Sequence, residues 1–470
     1  MKILLIHPQW LETYGNYKAA AKQGVFYPPL GIMYIGTLLK QKNHDIRLID
    51  AEAEGKTINE ILQFLKEFKP DLVGITSTTP IYHKAKELAQ KIKEAMNIPI
   101  VIGGAHACVM REKTLEDCQY FDYVVYGEGE ITALELIEAL EGKKKLKDIR
   151  GLVYREKGKI IKNSQREFIK DLNSLPIPDR SLIKNEKYMW SAPGKGIVKT
   201  ASIMASRGCP FHCLYCSQRN VFGETLRYRS ADNILKEIEE IVNKYGINHL
   251  TFLDDNLTIN RKLMIDMSNQ IIERGIKITF EGSTRANLVD EELLKKLKEA
   301  GLRRISFGIE SGNQRILEVI KKGVTLEEIR NAYKIAKKTG LETRGSAMIG
   351  LPTETRKEVM DTLNFIKSLD DCDQIYLNIT TPYPGTELSR MAEQGEGGIK
   401  LLSKDYSEYK RYGGPVIEVN DLKRKDLIKL QKKGFLMFYL KPKRIYYNIK
   451  RAGIKAGIKN AIAFAKSIFK

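Results

Sequence analysis

Short apolar strands and amphipathic helices alternate along this chain, and that alternation restricts the fold more than any other feature. KILLIHP, DIRLID, DLVGIT, IPIVIGG and YVVYG read as strands within residues 1–145. LGIMYIGTLLKQ, TINEILQFLKEF and YHKAKELAQKIKEA lie between them with apolar residues at helical spacing. Strands that are apolar throughout need cover on both faces, so the pattern predicts a parallel, doubly wound α/β sheet. Such sheets bind ligands at the carboxyl ends of their strands. A second series of six strand–helix units starts near residue 196, with strands expected near 198–206, 248–253, 277–281, 303–308, 343–349 and 374–380. SADNILKEIEEIVNKY and DEELLKKLKEAG are two of its helices. Residues 146–195 connect the two series through a small hairpin with a Lys-Gly turn and the proline-punctuated LNSLPIPDR. At 470 residues the chain is too long for one core, which agrees with this division.

Three of the six cysteines, Cys209, Cys213 and Cys216, fall in one window, RGCPFHCLYCSQ, spaced C-x3-C-x2-C. Three thiolates on a short loop can hold three irons of a [4Fe–4S] cube and leave the fourth iron open to a ligand. A structural zinc site would want a fourth Cys or His, and His212 is the local candidate. Cys108, Cys118 and Cys372 are scattered, so no disulfide framework is expected and the chain fits a reducing cytosol.

The predicted strand ends carry polar and small residues. In the second series they are Asp254-Asp255, Ser283 and Arg285, Glu310-Ser311, Ile349-Gly350 and the PYPGTEL turn. In the first series they are Tyr27-Pro28-Pro29-Leu30-Gly31, the Thr76-Ser77-Thr78 loop, Gly103-Gly104-Ala105-His106 and Gly127-Glu128-Gly129-Glu130. Small residues there let a large flat ligand approach the backbone.

The cysteine loop, with Tyr215 before its last cysteine, resembles the cluster loop of the radical S-adenosylmethionine (SAM) superfamily. The PPLG, Ser/Thr, GG-x-H and GEGE elements ahead of it resemble the cobalamin-binding domain of the cobalamin-dependent branch, and the likeness covers about residues 1–420. It implies a flavodoxin-like (Rossmann-like) cobalamin-binding domain over 1–145, a linker over 146–195 and a partial (β/α)6 TIM-type radical SAM barrel over 196–420. It implies that Cys209, Cys213 and Cys216 ligate the cluster. Asp254 or Asp255 would bind the SAM ammonium, Arg285 its carboxylate, Glu310 and Ser311 the ribose, and Ile349 and Gly350 the adenine edge, with Ser283 beside them. Tyr27, Pro29, Gly31, Thr76, Ser77, Thr78, Gly103, Gly104, Gly127 and Glu128 would contact cobalamin. The D-x-H-x-x-G motif that supplies a histidine to cobalt is missing among the six histidines, so the resemblance implies cobalamin without a histidine lower ligand.

The implied activity is reductive cleavage of SAM to a 5′-deoxyadenosyl radical, used to methylate an unactivated carbon of a substrate such as a lipid or isoprenoid. A radical cyclase or oxidative enzyme of the bacteriochlorophyll-cyclase type shares the architecture and is the alternative. A non-catalytic cobalamin or SAM sensor is the rival from another class. A tRNA methylthiotransferase would need a second cluster, for which the first domain offers only Cys108 and Cys118. An electron donor such as flavodoxin or ferredoxin is the expected partner.

Of the net charge of +20, residues 421–470 carry +13, from 12 Lys and 3 Arg against 2 Asp. Together with helical apolar spacing after Pro442, this predicts a basic amphipathic region that lies on an anionic membrane surface through 441–470. No nucleic-acid reader motif accompanies the charge. No apolar run reaches the length of a membrane span, and the N-terminus lacks the long apolar core of a signal peptide, so a cytoplasmic protein, peripheral at the membrane inner face, is expected.

Overall fold

In β1 (Lys2–His7) successive side chains enter opposite core layers, Ile3 and Leu5 on one face and Leu4 and Ile6 on the other. A strand buried on both faces belongs inside a helix-covered parallel sheet, and β1 sits between β2 (Asp45–Asp50) and β3 (Leu72–Thr76), parallel to both. β4 (Ile100–Gly103) and β5 (Tyr123–Val125) follow in order. The molecule, a computed structural model, is described over residues 1–17, 27–410, 412, 414–442 and 444–445.

The linker hairpin does more than connect. Its strands β6 (Leu152–Glu156) and β7 (Lys159–Lys162) add antiparallel to β5 and complete a seven-stranded sheet of order β2-β1-β3-β4-β5-β6-β7. Leu152, Val153 and Tyr154 are buried, so leaving this sheet edge would expose them. The sheet therefore runs past residue 145.

β8 (Ala201–Ile203), β9 (His249–Phe252), β10 (Thr279–Thr284), β11 (Leu302–Glu310), β12 (Glu342–Ile349) and β13 (Gln374–Ile379) form a six-stranded sheet in chain order, every neighbour parallel. Ile305, Phe307 and Ile309 of β11 join the apolar core. Arg304 and Glu310 on its other face join ionic contacts instead. The strand expected from 198 is shorter here, because Gly196–Lys199 pairs with Met189–Ala192 in a separate hairpin. That hairpin touches β11, where Arg304 Nη2 donates to the Ser191 carbonyl (3.0 Å).

The basic C-terminal region divides. Arg424–Tyr439 is a helix packed on the barrel, with Leu427, Leu430, Phe435 and Phe438 buried. Gln431 Nε2 donates to the Leu377 carbonyl of β13 (2.8 Å), and Gly434 lets the helix approach, since a Cβ there would stand 2.3 Å from Leu377. The basic stretch that starts at residue 421 thus belongs partly to the barrel. Nearly all of the expected surface helix, 441–470, lies outside the described residues. Among the described residues no helix is long and apolar enough to cross a membrane.

Three buried carboxylates brace the loops that matter for the site. Glu128, in the turn after β5, holds Arg207 Nη1 at 2.9 Å and Arg227 Nη1 at 2.8 Å, and accepts from the Ile169 backbone N–H. Glu130 holds Arg207 Nη2 at 2.6 Å. All four charged side chains are buried, and they join the first sheet to the start of the cysteine loop. Glu354 braces the loop after β12, where one carboxylate oxygen accepts from the Gly350 and Leu351 N–H groups (2.6 and 3.0 Å). Its other oxygen is buried without a hydrogen-bond partner, and burial pushes its pKa up to about 8.

Removing one member of a buried pair strands the other charge at a cost of about 3–5 kcal/mol. Glu128→Ala should lower the unfolding free energy by that order in denaturant titrations and reduce iron uptake on reconstitution. Glu354 has its folded pKa raised from 4.5 to about 8, so its stabilising share is present below pH 4.5 and is lost as pH rises through 8. The wild type should lose at most about 1.4 kcal/mol per pH unit in that window relative to Glu354→Gln, whose amide oxygen can accept the same two N–H groups. Equal pH profiles for the two proteins would contradict this account.

Candidate functional site

The cysteine loop follows β8 directly and is pinned from several sides. The Cys209 N–H donates to the Gly223 carbonyl and the Leu214 N–H to the Ile320 carbonyl (3.1 and 3.2 Å). Cys209 and Cys213 are buried and Cys216 is half-buried. Burial raises the Cys209 thiol and pushes Cys216 up to about 11. Two donors face these sulfurs: Asn256 Nδ2 lies 3.4 Å from Cys209 and Arg285 Nη1 lies 3.6 Å from Cys213. Thiols buried together and met by N–H donors suit anionic sulfur ligands. Three cysteines on one short loop, with N–H donors at two of the sulfurs, are a donor set that suits a [4Fe–4S] cluster.

The two adjacent aspartates have different surroundings. Asp254 is buried and its carboxylate accepts from the Ala205 N–H (3.1 Å) and the Ser206 hydroxyl. Burial is the largest influence on it and raises its pKa to about 6. It fastens the segment ahead of the cysteines and is not open to a ligand. Asp255 is raised by burial too, meets Gln218 Nε2, and acts electrostatically on Cys209 and Cys216. Asp255 is therefore the carboxylate beside the cysteines.

Arg285 leaves the end of β10 with its guanidinium 3.7 Å from the Phe211 ring centroid. Its Nη2 donates to the Lys322 and Gly323 carbonyls. Glu310 ends β11 with φ 61°, a left-handed conformation that turns its carboxylate onto Lys322 Nζ (2.9 Å). Lys322 Nζ also lies 3.4 Å from the Tyr215 hydroxyl in the cysteine loop. Ser283 is exposed at its strand end. Ser311 is fully buried and its hydroxyl meets Thr362 (3.1 Å) and accepts from the Asn313 N–H, so it does not present itself to a ribose. Ile349 is buried in the apolar core, and Gly350 packs against Leu427 of the C-terminal helix.

A cleft of about 180 Å³ opens on the first domain. Gly31, Thr76, Gly103, Gly104, Gly127 and Glu128 line it, with Cys108 and, from the barrel side, Met204, Arg207 and Phe222. Gly31 and Gly127 face open space where a Cβ would meet nothing within 4 Å. Gly104 (φ 93°) crosses Ser77 so closely that a Cβ would stand 2.6 Å from its carbonyl oxygen. These small, open positions fit a bulky planar ligand with an apolar appendage. Pro29 caps the helix Leu30–Gln41, Ser77 is buried and Thr78 is exposed, all outside the lining.

Two expected cobalamin contacts, Glu128 and Tyr27, have partners within the chain. Both Glu128 oxygens are engaged by arginines and the Ile169 N–H, because the acid completes the bracing described above. Tyr27 packs 4.6 Å from the Trp190 ring, and Glu281 and Arg344 act on it. His106 is buried against Tyr82 (3.9 Å between rings), and burial lowers its pKa to about 3.

Sequence reasoning missed Lys322, Asn256, Gln218, Arg207 and Arg227. The last two stand within the cysteine motif's flanks, and buried arginines near a motif need acids elsewhere, which the GEGE element supplies.

Family models match residues 203–366 as the radical SAM superfamily and residues 18–137 as a B12 binding domain. An "uncharacterized methyltransferase" of Pyrococcus horikoshii is 38% identical over 96% of this chain and 95% of its own length. The anaerobic magnesium-protoporphyrin IX monomethyl ester cyclase of Cereibacter sphaeroides is 29% identical over 97% of this chain and 73% of its own. Among solved structures, the radical SAM methyltransferase TsrM from Kitasatospora setae, with cobalamin and a [4Fe–4S] cluster bound, superposes with a TM-score of 0.76 at 16% identity, covering 98% of this chain and 99% of that one. The chain belongs to the radical SAM family whose members carry an N-terminal B12-binding domain.

Proposed function

We propose that this protein is a cobalamin-dependent radical SAM methyltransferase that adds a methyl group to an unactivated carbon. The observation that carries this reading is the shared wall of the cleft. Met204, Arg207 and Phe222, on either side of the cysteine loop, line the same space as Gly31, Gly103 and Gly127. A methyl-carrying cofactor and a radical source would then face one substrate.

With the cofactors bound, SAM at the cluster supplies the 5′-deoxyadenosyl radical and cobalamin supplies the methyl group. The chain's own residues hold and orient. Cys209, Cys213 and Cys216 would ligate the cluster. Asp255 would take the SAM ammonium, since Asp254 is engaged. Glu310, steadied by Lys322, would face the ribose, with Ser283 open beside it. Ile349 and Gly350 would back the adenine edge. Gly31, Thr76, Gly103, Gly104 and Gly127 would receive cobalamin, with Pro29, Ser77 and Thr78 shaping the adjoining loops.

The family requires an external one-electron reductant, and a flavodoxin or ferredoxin is the class proposed. The basic stretch 441–470 supports a peripheral contact with anionic membrane at the cytoplasmic face, and with it a lipid or isoprenoid substrate. A radical cyclase is the second reading, favoured by the likeness to the porphyrin cyclase over 97% of this chain.

Anaerobically reconstituted protein incubated with cell extract and SAM bearing an isotopically labelled methyl should form 5′-deoxyadenosine and S-adenosylhomocysteine in step, with label in one product. 5′-Deoxyadenosine without S-adenosylhomocysteine would select the cyclase reading. Alanine at Cys209, Cys213 or Cys216 should abolish cluster and cleavage, while joint replacement of Cys108, Cys118 and Cys372 leaves iron content near normal.

Cobalamin should bind without a histidine on cobalt. His106 is buried in packing, and His7 at the end of β1 faces Asp50 at 3.5 Å. Electron paramagnetic resonance of the Co(II) form should lack nitrogen superhyperfine splitting; its presence would require a protein nitrogen or the retained benzimidazole.

A further inference from the structure

We propose that Arg285 serves the iron–sulfur cluster: it donates to the Cys213 sulfur and holds a positive charge, paired with no carboxylate among the described residues, that favours the reduced cluster. The inference rests on the cluster reading above.

The surroundings of this guanidinium are unusual for a buried cation. Arg285 is 4% exposed. Other buried cations near the site have acids: Lys322 has Glu310, Arg304 has Glu281 and Glu342, and Arg207 has Glu128 and Glu130. Among the described residues no carboxylate pairs with Arg285. An unpaired buried charge is expensive, so an anion is expected where the guanidinium points. Nη1 points at Cys213 Sγ, 3.6 Å away. Three cysteine thiolates would supply the missing negative charge.

The alternative anion is the carboxylate of SAM, held in a two-pronged clamp. Either form of such a clamp uses Nη2 as one prong, with Nη1 or Nε as the other. Nη2 is already committed to the Lys322 and Gly323 carbonyls. Nε is buried without a partner. Phe211, two residues before Cys213, lies under the guanidinium plane, 3.7 Å from ring centroid to the central carbon. The side chain is thus locked by the turn at 322–323 on one edge and by the cysteine loop on its face and other edge.

The turn from Ile320 to Gly323 does this for the whole loop. Ile320 accepts from the Leu214 N–H, and Lys322 reaches Tyr215. A donor hydrogen bond to a ligand sulfur and a fixed cation both favour the more negative oxidation state, and hydrogen bonds to sulfur are a known lever on cluster potential. The reduced cluster carries one more negative charge than the oxidised one. Arg285 therefore acts as a positioning and tuning residue for the electron that opens the reaction.

The test is a redox titration of reconstituted full-length protein without SAM, followed by electron paramagnetic resonance. Arg285→Gln should make the cluster at least tenfold harder to reduce, a shift of 59 mV for one electron. Arg285→Lys, which keeps the charge, should shift it less. SAM binding to the oxidised cluster should stay within threefold of wild type in both. An unmoved potential with SAM affinity lost tenfold or more would overturn the inference and return Arg285 to SAM. Should Arg285→Gln fail to hold a cluster, wild-type protein labelled with 15N-arginine decides instead. Its reduced cluster should show a weak 15N coupling in pulsed resonance, and the lack of one would overturn the inference. A wild type that binds no cluster would overturn the functional reading as a whole, whereas a normal cluster with an unmoved potential overturns this inference alone.

Discussion

Four buried charges, Glu128, Glu130, Arg207 and Arg227, hold the cysteine loop against the cobalamin-type domain. Their contribution is geometric more than energetic. A close pair is worth about 4 kcal/mol at an effective dielectric constant of 20. Withdrawing each ion from water costs several kcal/mol. The balance is near even, so an apolar interface could match it in stability. What an apolar interface lacks is a single register. Glu128 is satisfied only when Arg207, Arg227 and the Ile169 N–H meet it together. Any slip between the domains leaves a buried charge stranded. The cleft and the cluster loop are thereby kept in one fixed relation, as a methyl donor and a radical source acting on one carbon require.

The network also explains where sequence reasoning stopped. Periodicity is a local signal, and it located the strands of both sheets and the helices between them. The cysteine spacing is equally local, and it located the loop. The Gly-Glu turn marks Glu128 as a strand-end residue of the cleft, and the structure adds its second task of holding Arg207 and Arg227. Its partners lie 79 and 99 residues away in the chain, and no local pattern encodes that pairing. Tyr27 belongs with Trp190 for the same kind of reason. Gly434 sits in a stretch that its charge marks only as basic, yet its missing side chain is what lets the helix reach Leu377.

Asp254 and Asp255 show a finer limit. Adjacent residues at a strand end point to opposite sides, so one aspartate of the pair can face a ligand while the other meets the backbone. The sequence carries the pair but not the assignment. Ser206 and the Ala205 N–H engage Asp254 and leave Asp255 as the carboxylate beside the cysteines. Arg285 is the reverse case. Its position after β10 was legible, but its role depended on Lys322 and Gly323, whose carbonyls take the nitrogen that a carboxylate clamp would use.

The lower part of the barrel bears on where a substrate can sit. Glu281, Arg304 and Glu342 form a buried charge chain near the amino ends of β10 to β12. Arg344 adds to it beside Glu281 at 3.8 Å, under the Tyr376 and Trp190 rings. Two acids and two arginines cancel, so this layer offers no net charge to a ligand, and breaking it would strand an ion. The 189–199 hairpin covers it from below through the Ser191 carbonyl. The cleft lies instead at the carboxyl ends of the strands, where the barrel meets the first domain. There Glu310, Lys322 and Tyr215 stand on the barrel side, and the glycines of the cleft stand on the other. The polar base closes the barrel and leaves the chemistry to the interface that the Glu128 network holds in register.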